Sequence, residues 1–162
     1  MNMKLSKDEL ALNKELCKFP MTYSTPFLFG NSPENENPKI FNATLSLIKY
    51  KGKKYGLTCY HVIEQYRHQN GSYGDVICQV GNQIINPEDL LVFEDKDMDV
   101  AVFNLDGFDT NTNWNKSEIP TAFFEVTDDM VLIEENDFLI FGGYPEIRTI
   151  KRAPIELDFG AE

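Results

Sequence analysis

An antiparallel all-β fold opened by one helix is what this sequence predicts, and three observations carry the prediction. Short apolar runs recur with turn residues at about 8–12-residue spacing through most of the chain, the pattern of a barrel or sandwich. Within several runs apolar and polar residues alternate with a period of two, which buries one face of a sheet. Residues 6–9 carry a capping-box signal for a helix at the start of the chain. A chain of 162 residues with 42% hydrophobic and 12% aromatic content can build the core of one ordinary domain or of two small lobes.

Ser6-Lys7-Asp8-Glu9 has capping-box spacing: the serine side chain takes an orphan N–H and Glu9 reaches back to the cap. A helix of about three turns follows, carrying Leu10, Ala11, Leu12 and Leu16 and stopping before Pro20, whose predecessor disfavours helical backbone. Its leucines call for burial across the back of a barrel, with a partner-binding arm as the alternative. Residues 22–29, TYSTPFLF, read as a strand with Pro26 at an edge or bulge, and 31–38, NSPENENP, as a loop.

Phe41, Ala43, Leu45 and Leu47 alternate with Asn42, Thr44 and Ser46, a strand with one buried face. Lys51-Gly52-Lys53 turns the chain, and 54–58 returns as the partner strand. Further strands are expected at 75–80, at 83–85 across a Gly81-Asn82 turn, at 90–93 and at 99–105. The last contains VAVF, apolar on both faces, and is expected to be central. Residues 106–120, rich in Asp, Asn and Thr, read as a linker. Beyond it come strands at 122–126, 130–133 and 137–141, the last running into Gly142-Gly143-Tyr144-Pro145, and an extended segment at 148–159. There is no internal repeat.

Fifteen Lys+Arg against 26 Asp+Glu give a net charge of −11, which repels phosphate backbones and anionic lipid. Nucleic acid and membrane surfaces are therefore excluded as expected partners. The N-terminal residues have spread charges and no signal-like apolar run, and nowhere do about 18 apolar residues run together, so a cytoplasmic protein is expected. Cys17, Cys59 and Cys78 are far apart, with no CxxC and only two histidines in the chain. That spacing predicts neither a metal site nor a disulfide framework, and no cofactor is expected. Reduced thiols fit the same compartment.

One stretch carries chemistry: GLTCYHVIEQY, residues 56–66, sets His61 after an apolar run and before a turn of helix. A single histidine at a strand end is most often structural or solvated. Imidazole catalysis of acyl transfer needs a carboxylate that fixes the tautomer and stabilises the imidazolium. Asp99 opens the apolar run D-V-A-V, where burial without a partner would be costly. Asp97 competes, and so does a role for Asp99 in merely closing the turn at 94–98; Asp99 is preferred because it abuts the apolar run.

In order and spacing these segments resemble trypsin-like (chymotrypsin-fold) serine peptidases. YGLTCYHVIE is similar to the segment that delivers their catalytic histidine, DMDVAVFNL to the strand that carries the triad aspartate, and DFLIFGGYP to the strand opening their second barrel. The resemblance spans roughly residues 22–159. It implies a chymotrypsin-like antiparallel β-barrel with an incomplete second barrel: helix at 1–20, first barrel at 21–105, linker at 106–120, first strands of a second barrel at 121–162. It also implies His61 as general base, Asp99 as its orienting acid, and a peptide or protein substrate.

The departures are specific. Ala43-Thr44-Leu45 stands where a glycine-rich entry is usual, and Cys59-Tyr60 replaces a pair of small residues. Tyr60 is expected to crowd the cleft or form its wall, and Cys59 to be a small buried residue. None of the serines, Ser6, Ser24, Ser32, Ser46, Ser72 and Ser117, lies in a G-x-S-G setting or after GGYP. A base without nucleophile or oxyanion donors lacks the groups that do most to accelerate acyl transfer, so this chain alone is expected to be inactive. Either it is part of a longer intracellular serine endopeptidase whose C-terminal half supplies the serine, or it kept the barrel and lost the enzyme. The first is expected, because strands such as FLIF would otherwise leave edges unpaired. The alternative function is a non-catalytic barrel that binds a peptide or partner protein through an exposed sheet edge.

Overall fold

The computed structural model describes residues 6–31, 40–74, 76–81, 83–108, 121–129, 149–152 and 156–159. Helix α1 (Lys7–Thr22) leads into strands β1 (Ser24–Asn31), β2 (Ile40–Tyr50) and β3 (Lys53–Thr58). Helix α2 (Tyr60–Tyr73) follows, then β4 (Val76–Val80), β5 (Gln83–Ile85), the short α3 (Pro87–Leu90), β6 (Leu91–Asp95), β7 (Val100–Asn104) and β8 (Phe124–Val126). Strands β9 (Thr149–Arg152) and β10 (Glu156–Phe159) form an antiparallel hairpin of their own, so the extended reading of 148–159 becomes two strands.

The main sheet runs β5-β4-β1-β2-β3-β7-β6, with β8 added on β2. The order 4-1-2-3 within it is a Greek key: three strands in sequence, and a fourth returning through α2 to lie beside the first. All pairs but one are antiparallel, and the sheet curls into a half-barrel. Lys51 and Gly52 close the β2–β3 hairpin with φ of 49° and 81°; consecutive positive φ values are what a twist-matched two-residue turn requires.

The core follows the period-two pattern. Leu45 and Leu47 are fully buried, with Phe41 and Ala43 packed at its margin. From β1 come Phe27 and Phe29, from α2 Val62, Ile63 and Tyr66, from β4 Cys78 and Val80, and from β7 Ala101 and Phe103. Phe27 lies 5.7 Å from Phe103, and Phe29 stacks on Phe41 at 5.2 Å. Strand β7 pairs on both sides, with β3 and β6, but it stands next to the sheet edge rather than at the centre its apolar sequence predicts, and only the Ala101 and Phe103 face is fully buried.

Several expectations are corrected. Helix α1 does not stop before Pro20 but continues to Thr22. The ring removes only one N–H so close to the end, and the last carbonyls find other donors: Thr22 Oγ1 donates to Lys18 O at 2.9 Å and Ser24 Oγ to Pro20 O at 3.0 Å. Its Leu10, Leu12 and Leu16 are exposed rather than buried across a barrel. Pro26 sits in a strand paired on both sides, not at an edge or bulge. Its carbonyl accepts from Gly81 N at the very end of the β4 ladder, so the missing N–H falls where that ladder has already stopped. Phe124–Val126, expected in a second barrel, pairs in parallel with Ile48–Tyr50 on the edge of β2 that β1 leaves free. The expected strands at 130–133 and 137–141, the GGYP stretch and nearly all of the 106–120 linker lie outside the described residues.

Gly56 is where β3 meets this core most closely. A Cβ there would come to 2.9 Å from Leu105 Cδ1 and from Leu45 Cδ2, two side chains without room to retreat. Gly56→Ala is expected to destabilise the fold by about 1–3 kcal/mol, the range for overpacking. Gly71, inside α2, has no neighbour within 4 Å of such a Cβ, so Gly71→Ala should stabilise by about 0.5–1 kcal/mol. Urea unfolding midpoints of the two variants should move in opposite directions.

Candidate functional site

Strands β3 and β7 are antiparallel, with Tyr55 opposite Asn104 and Thr58 opposite Ala101. The last residue of β3 therefore lies beside the second residue of β7. Whatever follows Thr58 meets whatever precedes Val100, which brings Cys59, Tyr60 and His61 to Asp99.

On the β3 side the chain enters α2 at once. Cys59 is extended at φ −75° and ψ 145°, and Tyr60 begins a 14-residue helix, far longer than the turn expected from the sequence. Val62, Ile63 and Tyr66 recur at helical spacing and bury one stripe against the sheet, which leaves His61 on the exposed side. Gly74, at φ 79°, ends the helix and donates its N–H to Asn70 O. Helix α2 is also tied from outside. Arg67 grips both oxygens of Glu88 at 2.7 and 3.0 Å and reaches Glu94 on β6 at 2.8 Å, and this grip holds the Glu88 carboxyl below its usual range. Lys96 pairs with Glu64 at 3.2 Å and lies 5.8 Å from the centre of the Tyr60 ring. Tyr60 thus packs beside the β6–β7 turn.

On the β7 side Asp99 helps close that turn only with its backbone N–H, which donates to Lys96 O at 3.3 Å. Asp95 Oδ1 accepts from Met98 N at 2.8 Å, which frees the Asp99 side chain. Asp99 has φ 52°, a left-handed conformation that aspartate tolerates better than most residues. It is not buried, contrary to the expectation for a triad acid: its side chain is 47% exposed and that of His61 64%.

His61 Nδ1 lies 2.8 Å from Asp99 Oδ2 and 3.1 Å from Oδ1. The backbone N–H of His61 also donates to Oδ1 at 3.0 Å. A carboxylate facing Nδ1 from both oxygens selects the tautomer with the proton on Nδ1 and leaves the lone pair on Nε2. The backbone N–H of His61, and then its ring, hold the Asp99 carboxyl below the usual carboxylate range. Asp97, the competitor, lies exposed in the turn.

Cys59 is the residue the sequence misplaces. It is exposed rather than buried and stands beside the Asp99 carboxylate. Protein atoms around the sulfur strip part of its hydration and push the thiol upward, and the Asp99 charge adds to this. Cys78 is buried and pushed up to about 12. Among the described residues, Cys59, His61 and Asp99 form a group whose ligand atoms all lie within 4.8 Å of one another. Two of the serines are otherwise engaged: Ser24 Oγ donates to Pro20 O and Ser72 Oγ to His68 O. No family model, curated protein or solved structure matches this chain.

Because the folded state depresses the Asp99 pKa, the ionised form contributes stability above the unfolded carboxylate range. That contribution is lost as pH falls through the depressed folded value. The stability gap between wild type and Asp99→Asn should therefore be present at neutral pH and close on acidification toward about pH 3, as read by urea midpoints. The same substitution removes the charge beside Cys59, lowering its pKa. Iodoacetamide should then alkylate Cys59 faster in Asp99→Asn than in wild type near neutral pH, while Cys78 stays protected in both.

Proposed function

We propose that this chain supplies the general base and orienting acid of a trypsin-like serine endopeptidase, on a chymotrypsin-like half-barrel. The observation that carries the reading is the two-point approach of His61 Nδ1 to Asp99, with the His61 backbone N–H fastened to the same carboxylate. Base and acid must share such a bond for the imidazole to keep one tautomer while it takes a proton. In this reading His61 Nε2 accepts the hydroxyl proton of the attacking serine and later delivers it to the leaving amine. Asp99 steadies the imidazolium formed in between. In this reading a further polypeptide segment supplies the serine and the oxyanion donors. The reading includes a cytoplasmic setting, where free thiols such as Cys59 and Cys78 persist.

A second reading keeps the fold and drops the catalysis. Among the described residues β5 pairs with β4 alone and β6 with β7 alone, and Val92 and Phe93 on β6 are exposed. Such an edge accepts an extended peptide by strand addition.

A serine-reactive phosphonate probe, applied to the protein expressed from its complete reading frame, separates the two. Labelling is expected, with His61→Ala slowing it by about 10³-fold or more and leaving the fold intact. His68→Ala should label like the parent, because His68 lies exposed on α2. Absence of labelling in the complete protein, or equal labelling of His61→Ala, removes the catalytic reading and leaves the strand-addition one.

A further inference from the structure

We propose that Cys59 Sγ, His61 Nδ1 and an Asp99 carboxylate oxygen form a binding site for a thiophilic divalent cation of the zinc class. The three ligand atoms lie within 4.8 Å of one another. A tetrahedral zinc ion, with bonds of about 2.3 Å to sulfur and about 2.0–2.2 Å to nitrogen and oxygen, separates its ligand atoms by about 3.3–3.6 Å. The Nδ1–Oδ2 distance of 2.8 Å therefore has to widen by about half an ångström, and the sulfur has to draw in by up to about 1.2 Å. All three residues are exposed, so side-chain rotation accomplishes this without moving the core.

The backbone places the ligands before any ion arrives. Cys59 is held extended at the mouth of α2 and His61 stands in its first turn. The carboxylate of Asp99 is anchored by the His61 N–H at 3.0 Å. A thiolate beside an imidazole and a carboxylate selects zinc, or cobalt as its probe, over calcium and magnesium, which take oxygen ligands. Three protein ligands on an exposed surface leave a fourth position for water or another small donor.

On binding, the Cys59 thiol releases one proton to solvent as sulfur coordinates, and the proton on His61 Nδ1 shifts to Nε2 as Nδ1 coordinates. Asp99 exchanges a hydrogen bond for a metal bond. The pair thus has two exclusive states, a proton or a cation on Nδ1. In the second, Nε2 carries a hydrogen and has no lone pair with which to accept the proton of a serine. This catalytic consequence rests on the function proposed above; the binding site does not.

The test is a titration of the metal-free chain with Co2+. One equivalent should give sulfur-to-cobalt charge-transfer absorption, and Zn2+ should displace it. Cys59→Ala, or Cys59→Ser if the alanine variant fails to fold by circular dichroism, should abolish the absorption. Losing an outer-shell partner costs metal sites about 10–100-fold in affinity, so His61→Ala and Asp99→Asn, which remove ligands, should weaken binding by more than that. Cys78→Ala should leave it unchanged. Absence of the absorption at millimolar cobalt, or its persistence without the Cys59 sulfur, overturns the proposal. Because no substrate is involved, a negative probe-labelling result leaves this measurement standing, and a negative titration leaves the labelling result standing.

Discussion

The antiparallel ladder between β3 and β7 is the constraint on which the candidate site depends. It joins two segments far apart in the chain and ends with Thr58 opposite Ala101, so the start of α2 and the end of the β6–β7 turn must share one corner. A one-residue slip would turn every side chain of β3 to the opposite face. Gly56 resists that slip, because only a residue without a Cβ fits between Leu45 and Leu105. A packing requirement in the core thereby fixes the register of polar groups at the rim.

Helix α2 converts that register into an orientation. Its buried stripe of Val62, Ile63 and Tyr66 decides which way His61 faces, and the ties from Arg67 to Glu88 and Glu94 resist rolling about the helix axis. These ion pairs are partly exposed and individually contribute little to stability. Their value is positional, since the paired guanidinium contacts couple α2 to both α3 and β6. Hydrophobic burial supplies the energy, and the charged contacts choose among orientations of similar burial.

The same geometry places the His61–Asp99 pair in water. An exposed carboxylate acts on its histidine through hydrogen-bond direction more than through field strength, because solvent screens the charge. Any surface that covered this corner would strengthen the pair by removing that screening. Exposure also explains why Asp99 can serve two donors at once, the His61 backbone and the His61 ring, with the Cys59 sulfur close by: a deeply buried carboxylate would be closed in by apolar neighbours on some of those sides.

By itself the sequence determined what local period and residue type encode. The alternation from Phe41 to Leu47, the turn at Lys51-Gly52 and the apolar run of β7 each specify their element, because side-chain period and turn chemistry are properties of neighbouring residues. The pairing of His61 with Asp99 was legible from a base and an acid standing at the ends of two apolar runs. The helical spacing of Val62, Ile63 and Tyr66 also lies in the sequence, a signal that α2 runs well past the single turn expected after His61. Tertiary structure alone decided the rest. Nothing near Phe124 states that it will pair in parallel with β2, and nothing near Leu10, Leu12 and Leu16 states that these leucines stay exposed. Those outcomes depend on which distant backbone occupies a neighbouring edge, and long-range occupancy is settled by the packing of the whole sheet rather than by any window of the chain.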